Sequence, residues 1–116
     1  MPKYVALIYS HDVDWSQPEF AEVTKEYNEF GEAAAAVLRG GEVLYPTASA
    51  TTVRVPAGKG GDVVTTDGPY AETKEALTGF YILQCADLDE AVATAAKIPA
   101  AWDGAVEVRP VLEFGA

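Results

Sequence analysis

Two kinds of apolar pattern alternate along the chain. Tyr4-Val5-Ala6-Leu7-Ile8-Tyr9 and Gly79-Phe80-Tyr81-Ile82-Leu83-Gln84-Cys85 are short, continuous runs of strand-forming residues. Runs of this length and composition predict buried strands, and in both the apolar character covers the two faces alike. Phe20, Val23, Tyr27, Phe30, Ala34 and Val37 instead recur at helical spacing, with Glu22, Lys25, Glu26, Glu29 and Glu32 on the opposite side. That stripe predicts an amphipathic helix from Phe20 to Arg39, opened by Ser16 as N-cap with Glu19 three residues on and closed by Gly40-Gly41.

The remaining elements are shorter. Glu42-Val43-Leu44-Tyr45-Pro46 predicts an edge strand, since proline cannot donate to a ladder. Ala50–Val55 and Asp62–Thr66 predict the two arms of a hairpin. The glycine-rich tip between them, Pro56-Ala57-Gly58-Lys59-Gly60-Gly61, lacks the spacing of a phosphate loop, and a strand follows it where such a loop needs a helix. Asp87, with Glu90 three residues later, opens a second helix that carries Leu88, Val92, Ala95, Ala96 and Ile98 inward and stops at Pro99. Ala105–Leu112 forms the last strand, with Val106 and Val108 on one face and Glu107 and Arg109 on the other.

The order strand, helix, strand, hairpin, strand, helix, strand predicts an α+β domain over residues 1–116. Its core is a ferredoxin-like split βαβ sheet with two helices on one face and an inserted β-hairpin. Helices on one face cannot dry the other, yet two strands are apolar on both. A second copy of the chain is the expected cover, which predicts a two-fold homodimer with a cavity or clefts for a small molecule.

Composition narrows the partners. The formal net charge is −10, which excludes nucleic acid and anionic membrane surfaces as expected partners. A single cysteine, Cys85, cannot form an internal disulfide. With no signal-peptide pattern after Met1 and no run of spanning length, the expected location is cytoplasmic.

Thr65–Glu75 is the chemically densest stretch, a turn-forming Asp67-Gly68-Pro69 followed by Tyr70, Glu72, Lys74 and Glu75. Thr66-Asp67-Gly68-Pro69-Tyr70-Ala71-Glu72-Thr73-Lys74-Glu75 resembles the signature of YCII-related proteins of the DGPF type. Thr51–Val55, Gly79-Phe80-Tyr81, Asp87–Ala91, Ile98–Ala101 and Val106–Val111 extend the likeness over nearly the whole chain, and Tyr70 departs from the usual phenylalanine. The resemblance implies a dimeric α+β barrel of bacterial origin. It also implies an accessory or regulatory ligand-binding role, often beside an extracytoplasmic-function sigma factor, with two alternatives: an enzyme like the dehydrochlorinase of the wider superfamily, or a protein-interaction partner of such a sigma factor. The acid–base pair proposed for YCII-like proteins is a histidine on the first helix with an aspartate after the second. It does not carry over, because Phe20–Arg39 holds no histidine and Ile98-Pro99-Ala100-Ala101-Trp102 holds no Asp-Pro.

Each candidate residue has two readings. Asp67 is either an Asx-turn or a carboxylate facing a cleft near Lys74 or Arg109. Glu72, Lys74 and Glu75 form a solvated turn or, for the first two, part of the site. Arg109 either pairs with Glu107 or offers its planar fork to an acidic ligand. Tyr81 is a core or interface ring, or a hydrogen-bonding group in a pocket. The expected ligand cleft is thus lined by Asp67, Tyr70, Glu72, Lys74, Tyr81 and Arg109. Should the protein be an enzyme, general acid–base chemistry on a small polar aromatic would use Asp67 or His11 as base. His11 with Asp12 and Asp14 lacks a metal-ligand spacing, so no metal or cofactor is expected.

Overall fold

A computed structural model describes residues 1–114. Its main sheet has four strands, β1 (Lys3–Ser10), β2 (Leu38–Val43), β5 (Ala76–Gln84) and β6 (Ala105–Pro110), in the spatial order β2-β5-β1-β6. Every neighbouring pair is antiparallel. Strands β3 (Thr51–Arg54) and β4 (Val64–Asp67) form a separate two-stranded hairpin. Helices α1 (Ala21–Ala33), α2 (Leu88–Ala95) and α3 (Ala100–Asp103) complete the chain. This is the ferredoxin-like split βαβ order: β1 and β2 are separated in the sheet by β5, so the α1 crossover joins strands that never touch.

Burial along β1 alternates without a break. Tyr4, Ala6, Ile8 and Ser10 are buried, and Lys3, Val5, Leu7 and Tyr9 are half-covered. The buried set joins Phe30 and Ala34, Leu83 and Cys85, then Ala91, Ala95, Ile98 and Ala100 in one apolar cluster. All three helices therefore lie on the face that carries Tyr4 and Ala6. The molecule is only 20 Å across its thinnest dimension, enough for one sheet and one helical layer. Register places Val5 between Ile82 and Arg109, and Leu7 between Phe80 and Glu107. The rear face thus has an apolar centre of Val5, Leu7, Tyr9, Phe80 and Ile82. A charged rim of Glu107 and Arg109 on β6 faces Glu42 on β2.

The first helix is shorter than its periodicity predicts. Ser16 is not its N-cap; its amide donates to Asp14 Oδ1 over 2.9 Å and its hydroxyl donates to the same oxygen. A 3₁₀ turn at Pro18–Phe20 follows, and α1 starts at Ala21. At the other end the chain leaves the helix after Ala33, and Leu38 begins β2 opposite Leu83. Gly40-Gly41 therefore lies inside a strand, not at a helix end. A Cβ at Gly41 would stand 2.5 Å from the Phe80 carbonyl oxygen, so glycine is what lets β2 approach β5. Burial of Val37 and Leu38 against the core outweighs the stop signal of the glycine pair.

The second helix behaves as its capping box predicts. Asp87 accepts from the Glu90 amide over 2.9 Å and Glu90 accepts from the Ala86 amide over 3.0 Å. Its inward face is set by Ala91, Ala95 and Ile98, while Leu88 and Val92 are each 51% exposed. The short α3 after Pro99 was not predicted; it turns the chain so that β6 enters beside β1. Among the described residues no helix is long and apolar enough to cross a membrane.

Candidate functional site

A cleft of about 580 Å³ opens between α1 and the β2–β5 edge of the sheet. Its floor is Ile8, Thr78, Gly79 and Tyr81, its helical wall Val23, Thr24, Tyr27 and Asn28. Gly41 to Tyr45 form the opposite wall, and Asp14, Trp15 and Ser16 form a lip. Two glycines make room for it. Gly41 pairs with Tyr81 and Gly79 with Ile8, so both occupy helix-side positions where a side chain would otherwise fill the space under α1. A β-bulge adds to the hollow. Ile8 pairs with Gly79 and Tyr9 with Leu77, which leaves Thr78 without a partner residue. Its hydroxyl is buried and lies 2.9 Å from that of Ser10.

The walls are aromatic with a few hydroxyls. Phe30 and Tyr81 rings meet at 5.0 Å beneath α1. Burial, together with the neighbouring Tyr81, pushes the Tyr27 phenol up to about 12, and burial pushes Tyr81 up from its ordinary 10. Both phenols therefore stay protonated near neutrality, each able to donate and to accept.

The lip is fastened at two points. Asp12 accepts from the Thr47 amide over 2.8 Å and from the Thr47 hydroxyl, which ties the loop after β1 to the 3₁₀ turn Thr47–Ser49. Asp14 accepts from Ser16 and from Gln17 Nε2 over 3.1 Å. These bonds, the side-chain hydroxyls first, hold both carboxyls below their ordinary 3.8. Trp15 stands between the two fastenings, its ring 4.9 Å from that of Phe20.

Of the residues singled out in the sequence, Tyr81 lines this cleft. His11 is exposed at the head of the lip loop and is not part of the lining. Asp67 closes β4 opposite Thr51, and Glu72 and Lys74 are exposed in the connection to β5. Tyr70 is 76% exposed, with the Arg54 guanidinium 4.9 Å from its ring centre. Arg109 lies on the rear face, its Nε 3.9 Å from Glu107. The turn within this motif has a clear local job. Gly68, at φ +102°, donates to Ala50 over 2.8 Å and accepts from the Thr52 hydroxyl over 2.9 Å, closing the hairpin. Cys85 is fully buried, and burial raises its thiol from 9.0, which leaves it a poor nucleophile at neutral pH.

The sequence did not single out Tyr27, Asn28, Thr78 or Trp15 for this cleft. Tyr27 belongs to the apolar stripe of α1, and the bulge that sets the buried Thr78 against the cleft depends on pairing invisible in a single strand. One signal was present: Gly41 and Gly79 interrupt otherwise side-chain-rich strands, and glycine inside a strand marks a bulge or a close approach.

The model of the YCII-related domain matches residues 3–115. An uncharacterised protein of Rhizobium meliloti (strain 1021) is 36% identical over 115 residues, covering 93% of this chain and 90% of that protein. With a match of that span and specificity, the chain belongs to the YCII-related domain family.

Proposed function

We propose that the protein is a homodimer that binds a small organic molecule in the α1 cleft, one site per subunit. The observation that carries this reading is the cleft itself. Its volume of about 580 Å³ falls within the roughly 300–1,000 Å³ of small-molecule sites. Aromatic and aliphatic side chains line much of it, and its polar side chains (Thr24, Tyr27, Asn28, Thr78 and Tyr81, with Asp14 and Ser16 at the lip) are placed to orient a ligand.

The dimer follows from the uncovered rear face. Val5, Leu7, Phe80 and Ile82 form a contiguous apolar strip on a sheet with no layer behind it, and a two-fold copy presents the matching strip. Glu107, Arg109 and Glu42 at the rim set its register through charge. Such an arrangement leaves the α1 clefts facing outward, open to solvent on opposite sides of the assembly.

No reaction is assigned to the cleft. Its hydroxyl groups are protonated and its carboxylates at the lip are occupied with donors, which suits binding more than proton abstraction. The test is native mass spectrometry of protein taken directly from its host. The expected result is a dimer mass carrying a small retained molecule that is lost in a Thr24→Trp variant, whose indole fills the cleft. A monomer without any retained or added ligand contradicts the reading.

A further inference from the structure

We infer that the ligand of the α1 cleft is an aromatic or heteroaromatic amine, bound as its cation; this rests on the binding role proposed above. The first support is the sign of the charge in the lining. Asp14 at the lip is the charged side chain there: Glu42 lends its backbone to the wall but pairs with Phe80, which turns its carboxylate to the rear face, and among the described residues no lysine, arginine or histidine lines the cleft. An anionic ligand would have to leave water for a site with a carboxylate and no cation to meet it, a built-in rejection of acids. The whole molecule reinforces that sign, with 18 acidic residues against 8 basic ones, so its field draws cations toward the opening.

The second support is the kind of surface on offer. Trp15, Tyr27, Tyr45 and Tyr81 line the cleft. Aromatic faces carry negative quadrupole density, so they attract an ammonium group and also stack on a ligand ring. The cleft has room for one or two fused rings with a short aminoalkyl arm.

The third support is the spare capacity of Asp14. A carboxylate offers about four lone-pair sites. Three are engaged, by the Ser16 amide, the Ser16 hydroxyl and Gln17. The remaining site can take one N–H of an ammonium group while the lip keeps its shape. A neutral alcohol in that place would lose the charge-assisted bond, and a carboxylate would be repelled.

The experiment compares matched probes by calorimetry on the full-length protein. One set is tyramine, tyrosol and 4-hydroxyphenylacetate; the other is tryptamine, tryptophol and indole-3-acetate. Within each set only the charge of the arm changes. The amine is expected to bind at least about tenfold more tightly than the alcohol, with the acid weakest. Asp14→Asn should shrink the amine-over-alcohol ratio, and added salt should shrink it too. Asp12→Ala, which frees the lip from Thr47 without touching Asp14, controls for loosening of the lip and should leave the ratio as it is. Alcohols binding as tightly as amines, or acids binding best, overturn the amine assignment and leave the binding cleft standing. No binding by any of the six at millimolar concentration overturns both.

Discussion

Replacing Leu7 with aspartate isolates the rear face. Leu7 lies on β1 between Phe80 and Glu107, at the centre of the uncovered strip. Full burial of a leucine contributes roughly 1.5–3 kcal/mol. Leu7 is already largely covered by its sheet neighbours, so roughly a third of that, about 0.5–1 kcal/mol per copy, is the most that the proposed dimer adds. A two-fold interface contains the residue twice, which brings the loss to about 1–2 kcal/mol per dimer. That corresponds to a rise in Kd of about tenfold, before the cost of desolvating two carboxylates next to Glu107. Sedimentation equilibrium over a range of concentrations reads the Kd directly, and far-UV circular dichroism checks that the monomer keeps its fold. Val92→Asp, on the 51% exposed face of α2, serves as the control and should leave the Kd unchanged. A wild-type protein that stays monomeric, or a Leu7→Asp variant with the wild-type Kd, refutes the reasoning.

The Tyr27 phenol, held near 12, contributes stability that is fully present below the ordinary tyrosine pKa of 10 and is lost as pH rises from about 10 to about 12. Of six tyrosines, it should be the last to ionise by absorbance at 295 nm, and Tyr27→Phe should remove that late step; complete ionisation of the wild type near pH 10 would contradict this. The lip responds at the other extreme. Asp12 and Asp14 are held below 3.8, so their fastening is complete above that pH and is lost only as pH falls through the lowered values. In a Trp102→Phe background, Trp15 emission should shift only below pH 3.8, whereas Asp12→Ala should give the shifted spectrum already at neutral pH; an acid midpoint above 3.8 in the parent would sink the idea. Ile98 is completely buried between α2 and the sheet, so Ile98→Ala should cost about 2–5 kcal/mol in urea unfolding, and a loss under about 1 kcal/mol would mean that the core closes around the gap.

The four-stranded sheet, α1 and α2 were legible in the sequence because burial patterns are local, whereas α3 was not. Tyr4–Tyr9 and Gly79–Cys85 announce themselves as central strands by being apolar on both sides, and the Asp87–Glu90 capping box locates the start of α2 to the residue. Boundaries that depend on tertiary competition were not legible. Gly40-Gly41 has the chemistry of a helix stop, but the core takes up Val37 and Leu38 and draws the pair into β2. Ser16 has the chemistry of an N-cap, yet Asp14 two residues earlier binds both of its donors. Leu88 and Val92 look like core residues by type, but alanines at 91 and 95 sit closer to the sheet and leave those two in solvent. The α1 cleft was the least legible feature. It is made by side chains that glycine lacks and by a bulge that register creates, so its contents become apparent only when β1, β2 and β5 are paired.

The most direct test of the central claim is a residue-resolved amide map by two-dimensional NMR during a tyramine titration. The α1 cleft predicts shifts concentrated at Trp15, Thr24, Asn28, Thr78 and Gly79, with the rear face and the hairpin silent. Shifts concentrated instead on Asp67–Lys74 or around Arg109 would contradict the assignment and return the site to the motif or to the sheet's other side.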